Sequence, residues 1–120
     1  MSDLRKQIMV VDDEDGVLES FEVILSGDYN LIMARSGFEA LSILKEKSPD
    51  LIFLDVRMPG MDGIEVLRNL KKMHSKIDVV IVTATEGGYR KEVEELGIRH
   101  YIEKPFDVFK IEAITKEILS

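Results

Sequence analysis

The stretch Leu51-Ile52-Phe53-Leu54-Asp55 decides the fold: four apolar residues that stop on an acid. The same design recurs along the chain. Ile8-Met9-Val10-Val11 runs into Asp12-Asp13, and Val79-Val80-Ile81-Val82 runs into Thr83. His100-Tyr101-Ile102-Glu103 runs into Lys104-Pro105. A fifth run, Asn30-Leu31-Ile32-Met33-Ala34, ends in Arg35-Ser36-Gly37 and looks purely structural. Runs this short, rich in Val and Ile and alternating with helical patterns, read as buried parallel strands. A parallel sheet places every strand's C-terminal end on one edge, so three carboxylates, a hydroxyl and an ammonium converge there.

Working outward, strands are expected at residues 7–12, 30–34, 51–55, 78–83 and 99–103. The segments between them carry helical periodicity at residues 15–26, 37–46, 63–73, 89–96 and 108–119. Val17, Leu18, Phe21, Ile24 and Leu25 form the inward stripe of the first helix. Phe38, Ala40, Leu41 and Leu44 form that of the second, and Phe109, Ile111, Ile114 and Ile118 that of the fifth. Asp15 and Asp62 are candidate N-caps, Gly97 caps the fourth helix, and Ser48-Pro49 stops the second. Thr85-Glu86-Gly87-Gly88 reads as a mobile loop because of its two glycines. Strict alternation of strand and helix predicts an α/β doubly wound (βα)5 sheet with helices on both faces. The acid-bearing first and third strands should meet at the switch point, which suggests the order 2-1-3-4-5 with the ligand outside the carboxyl ends.

The chain has 120 residues, enough for one domain spanning 1–120 with a core that needs no staples. It contains no cysteine, which excludes disulfides and thiolate metal sites and fits a cytoplasmic protein. No apolar run approaches the roughly 20 residues of a membrane span, and the residues after Met1 include no apolar segment long enough for a signal peptide. Net charge is −7, from 16 basic and 23 acidic residues, which argues against direct nucleic-acid binding. Arg68, Lys71, Lys72 and Lys76 gather near one helix end, where cations suit the macrodipole, rather than forming a basic face.

The chemistry follows from the convergent edge. Asp12, Asp13 and Asp55 packed together repel one another unless a cation intervenes. Mg²⁺ suits them, as a hard ion that takes oxygen ligands. Asp55 can attack phosphorus to form an aspartyl phosphate, with the ion neutralising the developing charge. Lys104 can reach a phosphoryl oxygen as a point charge, and Thr83 can donate its hydroxyl to the same group. Plainer readings stand beside these. The acids could cap the first helix and a loop, Lys104 could be a solvated loop lysine, and Thr83 could owe its place to strand propensity. Taken together at one edge, the five residues make a magnesium site beside a phosphoryl acceptor the better reading.

The chain resembles the receiver domain of two-component response regulators over essentially its whole length. The matching pieces are Val10-Val11-Asp12-Asp13-Glu14, Leu54-Asp55-Val56-Arg57-Met58-Pro59-Gly60-Met61-Asp62-Gly63, Val82-Thr83-Ala84 and Tyr101-Ile102-Glu103-Lys104-Pro105-Phe106. The resemblance implies a flavodoxin-like three-layer sandwich. It implies that Asp55 accepts phosphate from the histidine of a sensor kinase or phosphotransfer protein. Mg²⁺ (or Mn²⁺) would then be bound by Asp13, Asp55 and the backbone carbonyl of Arg57, with Asp12 contacting it through water. Thr83 and Lys104 would hold the phosphoryl oxygens, and the Lys104–Pro105 bond would be cis. Thr83 and Tyr101 would form the switch, which exposes the face of the fourth helix, fifth strand and fifth helix to a downstream effector protein. The same face would serve a phosphorylation-dependent dimer, if the protein is not a monomer. Arg57 and Thr85 occupy the two positions that tune phosphoryl lifetime, and Arg57 would pair with Glu86, Glu14 or the phosphoryl oxygens. Met58 and Met61 flank the site and are expected to be exposed, as a docking surface or simply as loop packing. His74 and His100 are expected at the surface, outside any ligand set.

Competing functions are weaker. A phosphohydrolase similar to the haloacid dehalogenases needs a second Asp two residues beyond a nucleophile on the first strand, which Asp12-Asp13-Glu14 does not supply. A flavin or dinucleotide carrier needs a phosphate-binding turn there, and Asp12-Asp13-Glu14-Asp15 would repel phosphate. A receiver used only for protein binding would lack a key residue. The expected protein is therefore a signalling module that assists its own phosphorylation and hydrolysis and is no enzyme with a separate substrate. Its phosphate would control a partner or pass along a relay, and the chain could equally be the receiver of a larger transcriptional regulator or hybrid kinase.

Overall fold

The computed structural model describes residues 4–73, 76–84 and 89–120. Its elements alternate without exception: β1 (Gln7–Val11), α1 (Asp15–Leu25), β2 (Asn30–Ala34), α2 (Gly37–Leu44), β3 (Leu51–Leu54), α3 (Gly63–Met73), β4 (Asp78–Thr83), α4 (Arg90–Glu95), β5 (His100–Glu103) and α5 (Val108–Leu119). The five strands are parallel and ordered 2-1-3-4-5, as the acid-bearing runs require. Two of the expected strands end one residue early: β1 at Val11 and β3 at Leu54. Asp12 and Asp55 are thus the first residues beyond their strands. Their amides still bond the neighbouring strands, Asp12 N–H to the Ala34 carbonyl and Asp55 N–H to the Val11 carbonyl, each at 3.0 Å.

Strand alternation divides the core in two. Met9, Val11, Ile52, Leu54 and Ile81 face α2, α3 and α4, where Leu44, Leu67, Leu70 and Val93 are buried. Ile8, Val10, Phe53, Val80 and Ile102 face α1 and α5, where Phe21, Leu25 and Ile111 are buried. Phe21 ties the second layer together, its ring centroid 4.8 Å from that of Phe53 and 5.1 Å from that of Phe106. Among the described residues no helix is long and apolar enough to cross a membrane.

Several local expectations change. Phe38 is 62% exposed and Phe109 77% exposed, so neither belongs to an inward stripe. In α2 the buried positions are Gly37, Ala40 and Leu44, and in α5 they are Ile111 and Thr115. Gly37 turns inward because α3 passes against it: a Cβ there would lie 2.7 Å from Val66 Cγ2 and 2.9 Å from the Met61 carbonyl. Phe38, the next residue around the helix, is carried out over Gly60. Met58 is buried and Met61 half-buried, both packed in the core rather than offered to a partner. Asp15 is not a cap. Glu14 holds the N-cap position of α1 without a side-chain bond, and Asp15 pairs instead with Arg35 at 2.7 Å. Asp62 does cap α3, accepting from the Glu65 N–H at 2.9 Å, and Gly97 ends α4 with φ +90°. His74, Thr85, Glu86 and the rest of the 85–88 loop lie outside the described residues.

Candidate phosphoryl and metal site

The edge formed by the ends of β1, β3, β4 and β5 holds one compact polar cluster. Asp12, Asp13 and Asp55 each bring a carboxylate oxygen into a group whose members all lie within 4.8 Å of one another. Asp12 and Asp55 are buried, while Asp13 is open to solvent. Adjacent residues leaving a strand point to opposite sides, which separates buried Asp12 from exposed Asp13.

Lys104 closes the cluster. Its ammonium lies 2.7 Å from Asp12 Oδ2, 3.5 Å from Asp55 Oδ2 and 3.9 Å from Glu14 Oε1. It is delivered there by β5 and by a backbone bond from the Lys104 N–H to the Thr83 carbonyl at 3.0 Å; the Lys104–Pro105 peptide is cis. Thr83 ends β4 and is buried beside it. Arg57 stands in the loop after Asp55. Its amide donates to Asp55 Oδ1 at 3.3 Å, and its side chain is exposed, with no ion pair among the described residues. Of the partners expected for Arg57, Glu14 is not paired with it and lies 3.9 Å from Lys104, and Glu86 lies outside the described residues.

Burial pushes the Asp55 carboxyl up to about 6, and the charge of Asp12 adds to the effect. Lys104 and the Arg57 amide oppose both without cancelling them. For Lys104, burial alone would lower the pKa. The bond to Asp12 and the charges of Asp55, Asp12 and Glu14 outweigh it and hold the ammonium above its ordinary value. Three carboxylates against one ammonium leave an excess of two negative charges within the cluster. An all-oxygen donor set with that excess fits a hard divalent cation of the Mg²⁺ type.

The backbone explains why Asp55 is held so closely. A Cβ on Gly63 would lie 2.4 Å from the Asp55 carbonyl oxygen and 2.7 Å from Val56 Cα, so the start of α3 packs directly on the chain that carries the acid. The Gly63 N–H also bonds the Val56 carbonyl at 2.8 Å. Gly63 belongs to the motif around Asp55, but nothing in its position along the chain shows this contact. Asp12 has a second use that was missed: its Oδ1 accepts from the Glu14 N–H at 2.9 Å and shapes the turn into α1.

Tyr101 sits on β5, half-buried against the β4 side of the core. Its hydroxyl is buried and has no hydrogen-bond partner among the described residues. The Arg90 guanidinium lies 4.8 Å from the centroid of its ring and is itself 3.4 Å from Glu94. Burial raises the Tyr101 pKa, against the opposing charge of Arg90. Arg90 went unremarked in the sequence because the contact joins separate elements.

Comparison with known proteins agrees with this geometry. The model of the response regulator receiver domain matches residues 8–116. Sporulation initiation phosphotransferase F of Bacillus subtilis is 37% identical over 118 residues, covering 97% of this chain and 95% of that protein. The alkaline phosphatase synthesis transcriptional regulatory protein PhoP of the same organism is 36% identical over 97% of this chain, which spans only 49% of PhoP. A CheY-like response regulator receiver domain protein from Methanospirillum hungatei superposes with a TM-score of 0.89 at 26% identity, covering 94% of this chain and 92% of that one.

Proposed function

Since the chain belongs to the response regulator receiver family, we propose that Asp55 is its phosphoacceptor and that Asp12, Asp13, Thr83 and Lys104 serve the transfer. The observation that carries this reading is the convergence of three carboxylates within 4.8 Å of one another beside the half-buried ammonium of Lys104. A carboxylate oxygen of Asp55 forms the new P–O bond as the donor's P–N bond breaks and the histidine ring leaves. The raised pKa of Asp55 still leaves it mostly ionised at neutral pH, so the nucleophile needs no general base. Lys104 and the Thr83 hydroxyl receive the transferred phosphoryl oxygens, and burial strengthens both contacts. Asp13, Asp55 and the Arg57 carbonyl would hold Mg²⁺ (or Mn²⁺), with Asp12 behind them. The ion, when bound, offsets charge that develops between two anions.

The donor class is a histidine kinase or a histidine phosphotransfer protein, and the recipient of the signal is an effector protein. The net charge of −7 supports protein partners over nucleic acid. We read Thr83 and Tyr101 as the switch pair: the phosphoryl group draws the Thr83 hydroxyl, and the neighbouring aromatic answers through the face of α4, β5 and α5. The Tyr101 hydroxyl, which has no partner among the described residues, supports this, because a group held at a cost in one position is easily biased to another. Coverage of 95% of a sporulation phosphotransferase favours one output in particular, onward relay of the phosphate. On this reading the protein has no separate substrate.

The test is intact mass after incubation with acetyl phosphate and Mg²⁺, with Asp55→Asn in parallel. The expected result is a gain of one phosphoryl group that is lost in the variant and without the metal. Labelling that persists in Asp55→Asn would move the acceptor elsewhere.

A further inference from the structure

The edge of the sheet opposite the acids carries a different cluster. A cavity of about 410 Å³ opens beneath the start of β4 and β5, walled by Lys71, Lys76, Arg99 and His100, with Asp78 as its one acid. Lys71 comes from the last turn of α3, Lys76 from the chain leading into β4, Arg99 from the residue before β5 and His100 from its first position. The chain as read end to end promised no basic face, because Arg99 and His100 are remote from the lysines in sequence. The parallel sheet brings them together by placing the starts of adjacent strands side by side.

Several cations elsewhere in the molecule hold a carboxylate partner. Arg35 pairs with Asp15, Arg68 with Glu92, Arg90 with Glu94 and Lys104 with Asp12. Lys71, Lys76 and Arg99 have no ion pair or hydrogen bond to their side chains among the described residues, and Asp78 comes within pairing distance of none of them. His100 reaches only Glu117, at 4.0 Å. Lys71 is half-buried, and its ammonium lies across the Gly97 turn, 3.5 Å from where a Cβ on that residue would stand. Attraction to a helix C-terminus accounts for Lys71 alone. It does not account for Lys76 and Arg99, which are in no helix.

We propose that this cavity is a binding site for a small polyanion bearing paired phosphoryl groups. The volume suits a small molecule rather than a protein segment. Three fixed positive charges against one carboxylate, in a protein of net charge −7, set a local potential of the right sign. Arg99 supplies a planar fork for one phosphoryl group, while Lys71 and Lys76 act as point charges for the other. The site is separate from the phosphoacceptor, at the opposite ends of the strands.

The experiment is a titration of the full chain with pyrophosphate in chelator-treated, metal-free buffer, followed by amide chemical shifts. Expected are shifts at Lys71, Asp78, Gly97 and Arg99, retained in Asp55→Asn. Lys71→Ala/Arg99→Ala should weaken binding by about tenfold or more. Arg99→Glu, a second variant at an exposed position, should abolish it. Shifts confined to residues near Asp12 and Asp55, an unchanged affinity in both variants, or no saturable shifts would overturn the proposal.

Discussion

Lys104 Nζ lies 2.7 Å from Asp12 Oδ2 and 3.5 Å from Asp55 Oδ2, so the ammonium is committed first to Asp12. Burial pushes the Asp55 carboxyl up to about 6 and the charge of Asp12 adds to the effect, while Lys104, at the longer distance, offsets them only in part. The residue proposed as nucleophile is therefore one whose ionised form the metal-free fold disfavours.

A stability profile should record that strain. Below an ordinary pKa of 3.8 Asp55 is protonated in folded and unfolded chains alike, and no penalty exists. Between 3.8 and about 6 the unfolded chain has lost the proton that the folded chain keeps, so stability falls as pH rises. Above about 6 the full penalty remains, on the order of 3 kcal/mol. In chelator, Asp55→Asn should be more stable than the parent at pH 7 by roughly that amount. Urea unfolding across pH should show the gap closing toward pH 4; a gap independent of pH would mean that Asp55 is not strained.

Mg²⁺ should relieve the same repulsion. Added to the parent chain, it should raise the melting temperature in a saturable way, as any ligand of the folded state does. Asp13→Asn should lose most of this shift while leaving metal-free stability within about 0.5 kcal/mol, because Asp13 is exposed. A thermal melt series against Mg²⁺ concentration checks both halves.

Gly63→Ala should harm stability and chemistry together. The new methyl group meets backbone at 2.4 and 2.7 Å, and backbone cannot rotate away as a side chain would. The expected cost is about 2–3 kcal/mol in denaturant unfolding. Labelling by acetyl phosphate should slow, since the displaced backbone carries Asp55. Labelling at the parental rate would show that the loop yields without moving the acid.

Tyr101→Phe removes a buried hydroxyl that has no partner among the described residues and keeps the ring under Arg90. It should be neutral or stabilising by up to about 1 kcal/mol, whereas Tyr101→Ala should destabilise. Equilibrium unfolding of the two variants decides this. A clear loss in the Phe variant would reveal a bond to that hydroxyl.

Arg57→Ala should leave folding stability within about 0.5 kcal/mol, because the guanidinium is exposed and the bond to Asp55 comes from the backbone amide. The rate of aspartyl phosphate hydrolysis should nevertheless change several-fold. Loss of label after removal of the phosphodonor measures it, and an unchanged rate would make Arg57 a solvated side chain with no part in tuning.

The misreadings share one cause. Phe38 and Phe109 are apolar residues at helical spacing, which by periodicity places them on an inward stripe. Which way a helix turns is set by what it packs on: α2 is pressed so close to α3 that Gly37 takes the inward position, and Phe38 is carried outside. For Met58 and Met61, in the loop after Asp55, the sequence leaves exposure as a docking surface and loop packing both open. The loop folds back on the core below it, which buries Met58 and half-buries Met61.

By itself the sequence determined the strand count, the strand order and the edge at which Asp12, Asp13, Asp55, Thr83 and Lys104 meet. Those features rest on local periodicity and on the rule that parallel strands end on one side. Only the tertiary structure decided the rest: that Lys104 favours Asp12 over Asp55, that Gly63 braces the acid's backbone, and that Arg90 covers Tyr101. It also decided that Lys71, Lys76 and Arg99 share a cavity. Each of these is a distance of a few ångströms between residues remote in the chain, and packing sets such distances where pattern does not.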